Sequence, residues 1–296
     1  MLVSVVTPCL NPGDRLARCL ASVAAQTYAN VEHVVVDGAS TDGTVELLEE
    51  SGVRYVSERD GGQTDAIRKG IELARGELLT WLNADDELTP DAVARAVQAG
   101  GEWTYGDCAV IRGGRRTVWR PLPRYGDWEI DAGEMIPQPG SFFSRAALDR
   151  AGGLDSSFEL TMDIDLWVRL VDAGVTPHYV RAVVATFEIH DDSKTGSLGR
   201  RAFMLEHARA LAKSGRREAA SAAVGRSLAF GASPADLPDW VEPRIVRRSA
   251  AAERAVERLR VRDPRGAWTL LAPGVWRERV VRRRLLASVR RGLRTG

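Results

Sequence analysis

Apolar residues along this chain fall into two alternating rhythms. Short β-branched runs, LVSVV (2–6), VEHVVVD (31–37), VRYVS (53–57) and ELLTWLN (77–83), predict four strands. Between them, residues 14–26, 43–50 and 64–75 space their apolar side chains for helices, with Leu16, Leu20 and Val23 on one stripe. Asp42 is the predicted N-cap of the second helix, and Gly76 the predicted stop of the third. Strands alternating with helices predict an α/β fold: a mostly parallel central sheet with helices on both faces. Sheets of this kind collect ligands at the carboxyl ends of their strands.

After residue 100 the rhythm changes. WTYGDCAV and RTVWRPL predict strands, SFFSRAALDRAG leads into a short helix, DIDLWVRLVDAG reads as an amphipathic helix, and HYVRAVVATFEIH as a further strand. From about residue 200 the sequence turns Ala- and Arg-rich and helical.

Composition adds an asymmetry. The net charge of the 296 residues is only +1, yet residues 244–296 carry sixteen Arg against four acidic residues. Cys9, Cys19 and Cys108 form no CxxC pair and cannot complete a disulfide framework, which fits a reducing cytoplasm. The opening MLVSVVTPCLN reads as a strand rather than a signal peptide, and no run approaches a membrane span. Any membrane contact would therefore be peripheral, at the inner face.

The strand ends carry the candidate chemistry. In LLTWLNADDELTP, Asp85 and Asp86 follow the fourth strand. They either cap a helix beginning near Pro90 or form a hard-oxygen site for Mg²⁺ or Mn²⁺, completed by water and a diphosphate. Thr7 to Asn11 follow the first strand. Asp37, in VVVDGASTDGT, is a turn residue or an acceptor for a base or ribose. Asp60, with Gly61 and Gly62, lets backbone approach a ligand. The first strand is not followed by GxGxxG, which disfavours a dinucleotide-binding domain.

Taken in order, VVTPCLN, SVAAQTYANVEHVVVDGASTDGT, SERDGGQTDAIRKG, GELLTWLNADDELTP, GGLDSSFELTMDIDLWVRL and HDDSKT resemble the family 2 glycosyltransferases across residues 3–195. The resemblance implies a GT-A, Rossmann-like catalytic domain over residues 1–199. Its nucleotide-sugar half is 1–100 and its acceptor half 101–199, with a helical, Arg-rich extension over 200–296. It implies inverting, hexosyltransferase-type transfer from a nucleotide-diphosphate sugar, expected to be a UDP-sugar, to an acceptor hydroxyl. The family's DxD motif reads Asn83-Ala84-Asp85 here, with Asp85 as metal ligand and His190 as a further one. Thr7, Pro8, Asn11, Asp37 and Asp60 match the nucleotide-binding edge, and Lys194 the diphosphate side. Arg68 stands where an Asn is usual, and Cys9-Leu10 where many members have an aromatic.

In TMDIDLW, Asp163 matches the position of the family's catalytic base. Asp165 lies two residues on and faces elsewhere, so it caps or supports the helix. PQPGSFFSR (137–145) matches an acceptor-side wall, although Phe142 and Phe143 equally suit a core, as do Trp81, Trp167 and Leu170. Two other functions compete. A sugar-1-phosphate nucleotidyltransferase would show a Gly-rich basic loop after the first strand, which TPCLNPGDR matches poorly. A non-catalytic nucleotide-sugar-binding scaffold would have no need of both Asp85 and Asp163. In the tail, Val281, Leu285, Val289 and Leu293 share one face, while Arg283, Arg290 and Arg294 lie on another. That helix packs on the domain or a second subunit, or leans on anionic lipid. Nucleic-acid binding has only the charge in its favour.

Overall fold

The computed structural model describes residues 1–190, 193, 199–229 and 241–260. Lys194 and the helix expected around 281–293 lie outside the described residues. The chain divides into two compact units: residues 1–124 with 136–191, and residues 125–135 with 192–296. A division at residue 199 does not include the excursion of 125–135 into the second unit.

The first unit opens with β1 (Val3–Cys9), α1 (Arg15–Ala24), β2 (Val31–Asp37), α2 (Thr44–Ser51), β3 (Arg54–Ser57), α3 (Gln63–Leu73) and β4 (Leu78–Trp81). β1 pairs in parallel with β2 and β4, and β2 with β3. The apolar stripe of α1 buries Leu16, Cys19, Leu20 and Val23. Two local expectations change. Gly43, at φ 90°, takes the N-cap position of α2. Asp42 sits one residue earlier, accepting hydrogen bonds from the amides of Thr44 (3.2 Å) and Gly13 (2.9 Å). α3 ends before Gly76, whose role is close approach: a Cβ there would stand 2.4 Å from Ser4 Oγ and 2.7 Å from Ser4 N.

Next come β5 (Glu87–Leu88), α4 (Ala92–Ala99), β6 (Trp103–Arg112), β7 (Arg115–Trp119), β8 (Ser141–Ser144), α6 (Arg145–Arg150), α7 (Met162–Asp172) and β9 (Pro177–Ile189). The strand order is β3-β2-β1-β4-β8-β6-β9-β5, with β7 on β6. β8 runs antiparallel to both β4 and β6, and β6 parallel to β9. Neighbouring residues of a strand face opposite sides, and Phe142 and Phe143 use this. Phe142 joins the cluster with Val3, Val5 and Ala92, whereas Phe143 lies 5.5 Å from Trp81 and 6.1 Å from Trp167, ring centre to ring centre. Trp167 also stacks on Trp81 at 5.8 Å. Both phenylalanines are therefore core, and α7 is anchored over β4 and β8 by aromatic packing.

In the second unit, α5 (Asp127–Ala132), α8 (Gly199–Lys213), α9 (Arg217–Ala229) and α10 (Pro243–Arg260) are helices. Arg216 pairs with Asp127 at 2.6 Å and Asp131 at 3.4 Å, tying the α5 excursion to this unit. Buried alanines 219, 220, 222 and 223 let helices approach closely. Among the described residues, no helix is long and apolar enough to cross a membrane.

Candidate active site

The carboxyl ends of β1 to β4 are knitted by side chains reaching into neighbouring loops. Asp37, fully buried at the end of β2, accepts from the Ser40 amide (3.0 Å), the Ser57 hydroxyl (2.6 Å) and the Ser40 hydroxyl. Its carboxylate thereby fixes the β2 and β3 exits, and burial with the nearby Asp37 charge pushes the Cys9 thiol up. Asn11, at φ 46°, donates its amide to Ser40 Oγ (2.7 Å) and accepts from the Thr41 amide (2.8 Å), closing the β1 loop onto the β2 loop. Asp60 accepts from the Gly62 amide at 2.8 Å, and Asp65 from the Gly61 amide at 3.0 Å, so these glycine amides are engaged within the loop.

Thr7 and Pro8 are buried within β1. Thr7 Oγ1 bonds His33 Nε2 at 2.8 Å, and burial pushes that imidazole down to about 4, so it is neutral at pH 7. Arg68 lies exposed on α3 and donates to Ser156 Oγ at 3.2 Å.

After β4 the acidic turn separates its members. α4 begins only at Ala92, behind Asp91, with β5 in between. Capping a helix near Pro90 is therefore not what Asp85 and Asp86 do. Asp86 is fully buried, and its Oδ1 has no hydrogen-bond partner. Burial first, and then the charge of Asp85, holds its carboxyl well above the usual range. Asp85 instead stays partly exposed, and His190 Nε2 stands 2.9 Å from its Oδ2. This contact joins the end of β4 to the end of β9. Burial of Ala84 completes the turn.

Asn83 occupies the middle of an amide relay. Its Oδ1 accepts from Gln63 Nε2 at 2.7 Å, and its Nδ2 donates to Asp86 Oδ2 at 3.1 Å and Gln138 Oε1 at 3.5 Å. Gln138 Nε2 in turn donates to the Trp81 carbonyl at 2.6 Å. Gln63 and Gln138 had no role from sequence, because their partner Asn83 is twenty and fifty-five positions away respectively and only the fold brings them to it.

Asp163 lies in the first turn of α7 and accepts from the Ile164 amide at 2.8 Å. Thr64, in the first turn of α3, donates to the Phe158 carbonyl at 2.7 Å. That bond brings the segment entering α7 to the carboxyl edge of the sheet, the edge that holds Asn83 and Asp85. Trp167, one turn after Asp163 and on its face, packs on Trp81 of β4. Asp165 is buried and paired with Arg169 at 2.6 Å, which also donates to the Gly153 carbonyl at 2.7 Å. It supports the helix, as its spacing from Asp163 predicts.

A sheet with this order, carrying an acidic turn after β4 and a covering aromatic-anchored helix, has the GT-A fold. S. aureus TarS superposes with a TM-score of 0.62 at 16% identity, over 90% of this chain and 54% of that one, so this chain spans about half of TarS. A mannosyltransferase from Pyrobaculum calidifontis, solved with GDP-Man and Mn²⁺, superposes with a TM-score of 0.57 at 18% identity, over 97% and 86% of the two chains. In sequence, residues 4–148 match the profile of Glycosyl transferase family 2. An uncharacterized glycosyltransferase of Mycobacterium tuberculosis (strain H37Rv) is 36% identical over 200 residues, 63% of this chain and 74% of that protein. The chain belongs to glycosyltransferase family 2 and is an enzyme of the transferase class, moving a sugar from a nucleotide-sugar donor.

Proposed function

We propose that this enzyme is a metal-dependent, inverting hexosyltransferase that uses a nucleoside diphosphate sugar, a UDP-sugar foremost. The observation that carries the reading is the convergence of Asp85 and His190, at 2.9 Å, on the rim that also receives the start of α7. Among the described residues no three acidic, His or Cys side chains gather as a ready-made cation cage. A carboxylate oxygen beside an imidazole nitrogen nonetheless suits Mn²⁺, and Mg²⁺ commonly keeps waters and substrate phosphates in its shell. Asp85 and His190 are the residues that would hold such an ion, which when bound supplies charge neutralisation for the departing diphosphate. The P. calidifontis mannosyltransferase, with its Mn²⁺ and nucleotide sugar, supports this reading.

The chain's own groups divide the remaining work. Asp37, Asn11 and Asp60 shape the loops that receive the nucleoside. Thr7 and Pro8 act from within β1, where Thr7 orders the strand end through His33. Asn83 orients the acidic turn through its relay, and Arg68, exposed on α3, is assigned to a donor phosphate by its place in the motif. Asp163 takes the proton from the acceptor hydroxyl as it attacks opposite the leaving group, a role requiring reach to that proton. Lys194, outside the described residues, is assigned to the diphosphate by motif alone. Asp163→Asn should bind donor as the parent does and lose transfer by about 100-fold or more. Near-parental turnover of UDP-GlcNAc or GDP-mannose by that variant would remove Asp163 from the chemistry.

A further inference from the structure

The β6–β7 hairpin has no task in the reading above, and its charge is one-sided. Between Ile111 and Arg124 the sequence holds Arg112, Arg115, Arg116, Arg120 and Arg124 and no acidic residue. Arg112 and Arg115 stand directly opposite each other across the two strands, flanking a Gly113-Gly114 turn whose φ angles are 54° and 75°. Like charges in direct cross-strand register repel. Arg120 is answered by Asp107 at 3.7 Å, but Arg112, Arg115 and Arg116 are exposed and have no acidic partner among the described residues.

The location gives this repulsion a use. Arg112 lies abreast of Ile189 in the parallel β6–β9 pair, one residue before His190, which bonds Asp85. Adjacent strands are about 4.8 Å apart, so the cationic turn stands beside the transfer rim. We propose that Arg112 and Arg115, which share one face of the hairpin, bind an oxyanion of the acceptor, a phosphate or carboxylate near the hydroxyl that receives the sugar. This rests on the rim being the transfer site. Guanidinium forks match either oxyanion in geometry and charge, and a bound anion relieves the Arg112–Arg115 repulsion. The turn itself offers only glycine between arginines, with no apolar side chain to enter lipid, which favours an anionic acceptor over a membrane surface.

The test compares the parent protein with R112S/R115S, using calorimetry for UDP-GlcNAc with Mn²⁺ and fluorescence anisotropy for four probes. The probes are a glycerol phosphate oligomer, an oligogalacturonate, a neutral dextran oligomer, and vesicles of phosphatidylglycerol and phosphatidylcholine. The C-terminal arginines are present in both proteins, so their difference reports the hairpin. The parent should bind one of the two anionic oligomers in preference to dextran, weakening with salt, and the variant should bind it roughly tenfold or more weakly. Which oligomer binds distinguishes phosphate from carboxylate. Donor affinity should not change, and the melting temperature should not fall, since the variant loses the Arg112–Arg115 repulsion. Equal affinity of parent and variant for the oligomers, no preference over dextran, or a hairpin-dependent gain on vesicles alone each overturns the proposal. Absence of nucleotide-sugar binding by the parent would instead sink the transfer reading, with the oligomer arm still judging the hairpin.

Discussion

Asn83 shows how one side chain can decide the behaviour of an acidic turn. Its amide donates to Asp86 and accepts from Gln63, whereas an aspartate there could donate to neither Asp86 nor Gln138. Asn83→Asp should destabilise the fold by about 1–3 kcal/mol, the cost of leaving buried partners unmatched, and urea denaturation would measure it; unchanged stability would show that the relay is idle. His33 gives a pH signature of known sign. Its folded value of about 4 lies below the ~6.5 of an exposed histidine, so the unfolded chain binds the extra proton in between. The contribution of His33 to stability is therefore complete above about pH 6.5 and is lost as pH falls toward 4. An NMR titration placing its midpoint near 6.5 would contradict the burial argument. At this scale the sequence was legible at Asp165, whose spacing from Asp163 predicts a supporting role and whose carboxylate pairs with Arg169 at 2.6 Å. It was silent where a partner is distant, as with Gln138 and His33, because polarity alone does not say which strand a side chain will meet.

Among the elements, α3 is the one whose placement the site depends on most, since Gln63 and Thr64 connect it to the turn after β4 and to the entry of α7. Its close seat on β1 requires Gly70, where a Cβ would lie 2.3 Å from Val6 Cγ1. Gly70→Ala should cost about 1–3 kcal/mol through overpacking and weaken donor binding together with the melting temperature. A variant with parental stability would mean that the helix can shift freely. The first four strands and three helices were readable because parallel, doubly covered strands give continuous β-branched runs. β5 was not, since two residues carry no periodicity and pair only with a strand about a hundred positions away. α5 was likewise missed: its six residues are too few to establish a helical stripe, and their ion pairs are with Arg216.

In the whole molecule, the proposed departure of a diphosphate and activation of an acceptor share one sheet edge. Fold class and family were legible because the motifs occur in order along residues 3–195, each at a strand end or helix start. The two-unit division was less so, because residues 125–135 leave the first unit and return within a stretch with no compositional break. The most direct test is calorimetric titration of UDP-GlcNAc and GDP-mannose into the parent and Asp85→Ala, each with and without Mn²⁺. The parent is expected to bind one donor more tightly when Mn²⁺ is present, and Asp85→Ala to lose this gain while remaining folded. Equal affinity with and without the ion in the parent, or a full Mn²⁺-dependent gain in Asp85→Ala, would contradict metal-dependent donor binding through Asp85.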